Sequence, residues 1–283
     1  EATLFTNTTG ANNTAYGRAA LFYNTTASNN TAVGYQSLMD NTTGAQNTAV
    51  GRLALANNTT AGENVAMGSA ALLTNTTGTA CTALGSSALY SNTTASNNTA
   101  VGANALSENT TGSVNTAVGV DALRLNTTAP HNTAVGYKSL DINTTGTLNT
   151  ALGSNALLLN TTGDGNTAVG MQALDANTTA DANTAVGYLA LSTNTTGAKN
   201  TALGYKAAFS LVSSDDVTAI GYQSNFFNTS AGATVVGSNA GVYNNSGANS
   251  TFIGFQAGQG IDGTRLTGDG NTAVGKDAGL LLQ

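Results

Sequence analysis

The chain has 283 residues, only 8% of them charged, and a net charge of −6 from 14 acidic and eight basic side chains. So few Lys and Arg exclude a basic nucleic-acid footprint and electrostatic docking on an anionic membrane, and no apolar run is long enough to span a bilayer. The single cysteine, Cys81, excludes an internal disulfide framework.

Asn, Thr, Ala and Gly take the place of the missing charges. Low complexity of this kind fits disorder unless apolar residues recur in register, and here they do. From the N-terminus, Gly17, Gly34, Gly51, Gly68 and the glycines onward to Gly221 stand 17 residues apart. Gly237, Gly254 and Gly275 continue the series at spacings of 16, 17 and 21. A fixed period of this size marks stacked supersecondary units rather than an ordinary globule.

The glycine is the natural origin of the repeat. The residue before it is large and apolar or aromatic, from Tyr16 and Val33 to Val274. Two before it stands Ala, except at Val235 and Phe252, and three before it stands Thr, except at Val65. Three after it comes Ala or Ser, and four after it comes Leu in every repeat from Leu21 to Leu191. In an extended segment Thr and Val share one face, while Ala and the preceding Asn share the other. The pattern predicts a coil of two short strands, Thr-Ala-Val and a second ending in Ala-Leu, with the glycine bending the path between them. The Val and Leu rows are expected to form one apolar seam. It would bury Val33, Val50, Val101, Val118, Val135, Val169 and Val186 with Leu38, Leu55, Leu106, Leu123, Leu140 and Leu174. The fold class is therefore all-β, a parallel β-solenoid of about 16 coils with a 17-residue repeat. A helical reading fails, because the apolar positions do not follow a 3.6-residue period.

The return loop is Asn-Thr-Thr, beginning at Asn7, Asn24, Asn41, Asn58, Asn75, Asn92, Asn109, Asn126, Asn143, Asn160, Asn177 and Asn194. Two readings apply to these asparagines. Each is an N-glycosylation acceptor, and each can also bond within its turn and stack into a ladder along the coil axis. No Asn-Gly pair occurs despite the abundance of both residues, which suits a long-lived protein outside the cell.

Residues 1–208 hold the regular repeat. Over residues 209–283 the Asn-Thr-Thr loop is lost, and the Leu gives way to Asn225, Gly241, Gly258 and Gly279. This region is expected to form variant coils of the same solenoid. The apolar tail Leu280, Leu281 and Leu282 is expected to be an assembly contact, joining chains head to tail into a filament.

The run from Asn29 to Leu38, Asn-Asn-Thr-Ala-Val-Gly-Tyr-Gln-Ser-Leu, resembles the repeats of trimeric autotransporter adhesin heads. It is also similar to Asn-Thr-Ala-Val-Gly repeat regions in bacterial and phage tail-fibre-like proteins. The resemblance covers nearly the whole chain. It implies a left-handed parallel β-roll, three chains wrapped into a homotrimer, and an adhesive or fibrous protein that is extracellular or on a cell surface. Host or surface glycans are candidate partners on that reading.

Nothing in the sequence points to catalysis, and no catalytic, cofactor-binding or metal site is expected. His131 has no second ligand near it for zinc. Cys81 replaces the Asn that leads its strand, and it lies too far from His131 in the repeat for a catalytic dyad. The pectin-cleaving type of β-helix enzyme needs clustered carboxylates or basic groups, which the chain does not provide. The rival to a structural fibre is a binding module whose repetitive face recognises ice or carbohydrate. Tyr35, Tyr137, Tyr188, Tyr205 and Tyr222, one after the glycine, form either a binding stripe or a solvated edge.

Overall fold

The computed structural model describes residues 2–227, 229–244, 247–260 and 268–280. It is an all-β parallel solenoid with one three-residue strand per repeat and no helix among the described residues. Two compact units, Glu1–Thr145 and Gly146–Gln283, divide the chain. The first holds β1 (Thr14–Tyr16), β2 (Thr31–Val33), β3 (Thr48–Val50), β4 (Val65–Met67), β5 (Thr82–Leu84), β6 (Thr99–Val101), β7 (Thr116–Val118) and β8 (Thr133–Val135). The second holds β9 (Thr150–Leu152), β10 (Thr167–Val169), β11 (Thr184–Val186), β12 (Thr201–Leu203), β13 (Thr218–Ile220), β14 (Thr234–Val236), β15 (Thr251–Ile253) and β16 (Thr272–Val274).

Within each unit the strands pair in chain order, parallel and in exact repeat register. Thr31 faces Thr48 and Val33 faces Val50 in the first unit, as Thr167 faces Thr184 and Val169 faces Val186 in the second. Changes of loop length leave this register intact, since Thr234 still faces Thr251 and Thr251 still faces Thr272.

The interior differs from the expected seam. The strand turns its Ala inward, and Ala32, Ala49, Ala100 and Ala117 are fully buried. Val33, Val50, Val101, Val118, Val135, Val169 and Val186 are only half-buried, on the outer face with the threonines. The Leu row is in the core as expected, with Leu38, Leu55, Leu106, Leu123, Leu140 and Leu174 at 0% exposure. The reason is width: one Leu reaching from the far limb fills the space up to the strand backbone, leaving room for a methyl group. The second unit demonstrates this. Where the strand carries Phe252 instead of Ala, the Leu position of the same coil is Gly258, and a Cβ there would lie 2.3 Å from the Phe252 ring. Val235 and Gly241 repeat the exchange in the preceding coil.

The limb after the glycine is not a second strand. Gln36 and Leu38 have φ of 53° and 51°, Asn29 in the loop before the strand has 63°, and the same three places adopt the left-handed conformation coil after coil. Their N–H groups still bond to neighbouring coils: Gln36 donates to the Arg18 carbonyl at 2.9 Å and Leu38 to the Ala54 carbonyl at 3.0 Å. Each left-handed non-glycine residue costs on the order of 1–2 kcal/mol. A single coil cannot meet that cost, so the stack holds the conformation. The origin glycine combines positive φ with close approach. Gly34 has φ 135°, and a Cβ on it would lie 2.4 Å from the Gly51 oxygen.

Candidate functional site

The loop asparagines form a spine. Asn41 donates one Nδ2 hydrogen to Oδ1 of Asn24 at 3.0 Å and the other to the Gly44 carbonyl at 2.9 Å. Asn58, Asn75, Asn92, Asn109 and Asn126 repeat the pair of bonds, each resting on the Asn of the preceding coil. All are fully buried, as are Asn24 and Asn143, whereas Asn7 is exposed. In the second unit Asn177 donates to Asn160 at 2.8 Å and Asn194 to Asn177 at 3.3 Å, and these three are buried too. An N-linked glycan replaces one of the two amide hydrogens. A glycosylated side chain therefore cannot keep its place in this spine, and the geometry is that of the ladder.

A second spine runs beside the strands. Asn30 donates Nδ2–H to the Gly44 carbonyl at 2.9 Å, and its Oδ1 accepts the backbone N–H of Asn47 at 2.9 Å. Asn47, Asn98 and Asn115 do the same in the first unit, as do Asn166, Asn183 and Asn200 in the second. Cys81 takes one of these places. Its N–H still reaches Asn64 Oδ1 at 2.9 Å, and its Sγ is 3.4 Å from the Ala95 carbonyl. Burial pushes its thiol pKa up, away from the thiolate that reactivity requires.

A third, broken spine was not legible from the repeat. Six residues before the glycine, Ser28 Oγ accepts the Ala11 N–H at 3.0 Å, Asp181 Oδ1 accepts that of Asp164 at 2.7 Å, and Asp215 Oδ1 accepts that of Ala198 at 2.7 Å. The scattered carboxylates thus serve backbone donors of the preceding coil. A sequence search for Ser, Thr or Asp at that offset would have found them.

The outer surface carries uniform rows. The strand threonines and the apolar residues beside them face outward, and among the described residues the hydroxyls of Thr31, Thr48, Thr82, Thr99, Thr116 and Thr133 have no hydrogen-bond partner. In the loops, by contrast, Thr25 and Thr42 donate their hydroxyls to the next coil's threonine carbonyl at 3.0 Å each. Of the tyrosines, Tyr188, Tyr205 and Tyr222 stack on one another at 5.5 and 5.1 Å, and Lys206 sits 5.5 Å from the Tyr205 ring and 5.4 Å from that of Phe209. Tyr35 and Tyr137 are exposed without such a neighbour ring and instead meet Arg18 and Lys138.

Among the described residues no group of three His, Cys, Asp or Glu could hold a metal ion, and no helix is long and apolar enough to cross a membrane. His131 is exposed in a left-handed turn with φ 61°. Two open grooves, of about 260 and 310 Å³, are lined by Ala19, Phe22, Tyr23, Gln36 and Met39 and by Ala45, Gln46, Thr60, Gly62, Glu63 and Thr79. Leu280 is half-buried, while Leu281 and Leu282 lie outside the described residues. No family model, curated protein or solved structure matches the chain.

Proposed function

We propose that this chain is a structural or adhesive fibre protein of the cell surface or extracellular space, non-catalytic and self-associating as a trimer or filament. Its repeat is similar to adhesin heads and tail fibres, and host or surface glycans are its candidate partners. The observation that supports this reading is the buried asparagine spine. In each regular coil, side chains that could build a site are committed to the next coil: Asn75 joins Asn58, Gly78 and Asn92 through three hydrogen bonds. What such a coil offers is a stack held from coil to coil, with Thr and an apolar residue turned outward on nearly every strand. The absence of Asn-Gly pairs fits a protein that must outlast its synthesis.

Analytical sedimentation and negative-stain imaging of the 283-residue chain test the proposal. Oligomers or fibres at micromolar concentration are expected. A stable monomer with no fibres overturns it.

A further inference from the structure

The strand face of the first unit is the surface that the core does not explain. The inward Ala of β2 to β8 is set by packing, but the outward side is not, and yet it keeps nearly the same pair of residues from coil to coil. Threonine stands at the first outward place of every strand from β1 to β8 except β4, and an apolar or aromatic residue stands at the second. None of these places is charged. The register puts threonine on threonine, as Thr82 on Thr99 and Thr99 on Thr116. Neighbours in a row are therefore about 4.8 Å apart, with the apolar row roughly 7 Å away.

Three properties select the ligand. The threonine hydroxyls are unpartnered among the described residues, so a ligand that leaves them dry must itself supply hydrogen bonds at the same repeat. The face has few of the anchors on which protein partners depend, since Trp, Tyr and Arg carry most interface hot spots and Tyr16 is the only one of these in either row of β1 to β8. Its contribution is instead the same small contact made at each coil. The threonines are stiff at χ1 and held in a hydrogen-bonded sheet, so ordering them against a lattice costs little entropy. We infer that this face binds ice, with hydroxyls joining the water lattice and the Thr and Val methyl groups seated against it. The inference deepens the binding-module alternative to the fibre reading and stands apart from self-association. The loop row of exposed threonines, Thr26, Thr43, Thr60, Thr77, Thr94 and Thr111, is the rival surface. It is a single row, and exposed Glu63 and His131 border it.

The test is an ice-recrystallisation assay on the intact chain and two matched double variants, with far-UV circular dichroism to confirm the coil. Wild type is expected to arrest grain growth. Thr99→Tyr with Thr116→Tyr on the strand face should raise the required concentration by about tenfold, or roughly 1.4 kcal/mol of contact. Thr94→Tyr with Thr111→Tyr in the loop row should leave it unchanged. If the strand pair unfolds the chain, Thr99→Ser with Thr116→Ser removes only methyl groups and should shift the assay in the same direction. Unaltered grain growth with wild type overturns the inference, and fibres seen by imaging would then leave the fibre proposal standing. Loss of activity with the loop pair alone, or with neither pair, also overturns it. So does a change in sedimentation of the strand pair, which would make a second copy of the chain the occupant.

Discussion

The regular coils of residues 1–208 and the variant coils that follow reach the same backbone path with different interiors. In the regular coils a small Ala on the strand meets a Leu from the far limb, as Ala100 and Leu106 do, and buried asparagines link each coil to the next. In the variant coils Val235 and Phe252 meet Gly241 and Gly258, Leu211 takes the place of a loop Asn, and Val217 that of a strand-leading Asn. The strand register survives all of these changes. The comparison teaches that the coil requires a constant cross-section and a satisfied backbone, and that the side-chain spines reinforce the stack without dictating its path. The seams between the two styles carry a cost. Asn194 Oδ1 has no partner because Leu211 offers no amide, and both side-chain polar atoms of the fully buried Asn225 are unpaired.

The largest effect should come from breaking the volume exchange. Phe252→Ala is expected to cost about 3–5 kcal/mol, and Leu106→Ala about 2–5 kcal/mol. Adding Gly258→Leu to Phe252→Ala rebuilds the regular pair and should recover most of the loss. Denaturant midpoints of the two singles and the double measure this as a coupling energy. Simple addition of the two single effects would show that the two interiors are not equivalent solutions.

The spine comes next. Asn75→Ala leaves Asn58 Oδ1 and one Asn92 hydrogen unpaired and takes one of two donors from the Gly78 carbonyl, which Asn64 still serves, while Asn194→Ala removes only the two donations of a residue whose oxygen is already unpaired. Each buried group left unpaired costs about 1–3 kcal/mol, so Asn75→Ala should be the more damaging in thermal melts. Equal losses would deny that the ladder is cooperative.

The reverse change should stabilise. Asn225→Leu restores the regular residue and removes two unpaired polar atoms, for a gain of about 1 kcal/mol or more. A fall in the denaturant midpoint would place a bound water or other polar partner at Asn225.

The smallest effect is one of pH. Burial raises the Asp175 pKa above its ordinary 3.8, and one of its oxygens is unpaired. A raised folded-state pKa favours the fold below the unfolded value and loses that advantage as pH rises through the folded value. Asp175→Asn should therefore melt slightly higher than wild type at neutral pH, and the difference should vanish below the ordinary carboxylate range. A constant difference across pH would mean that the ionised carboxylate is not the destabilising group.

The sequence by itself determined the period, the strand and the stacking direction. A glycine recurring at a fixed spacing, with Thr-Ala-Val before it, admits few folds other than a parallel solenoid. It also marked Leu38 and its equivalents as core and the loop asparagines as ladder candidates. Tertiary structure alone decided which side of a three-residue strand faces inward. Alternation separates Ala from Val without saying which is buried, and hydrophobicity favours the wrong one. The answer depends on the distance to the opposite limb, which Leu from that limb already fills. The left-handed limb was hidden for a related reason: Gln36 and Leu38 have no local preference for positive φ, and they adopt it because hydrogen bonds to neighbouring coils outweigh their own strain.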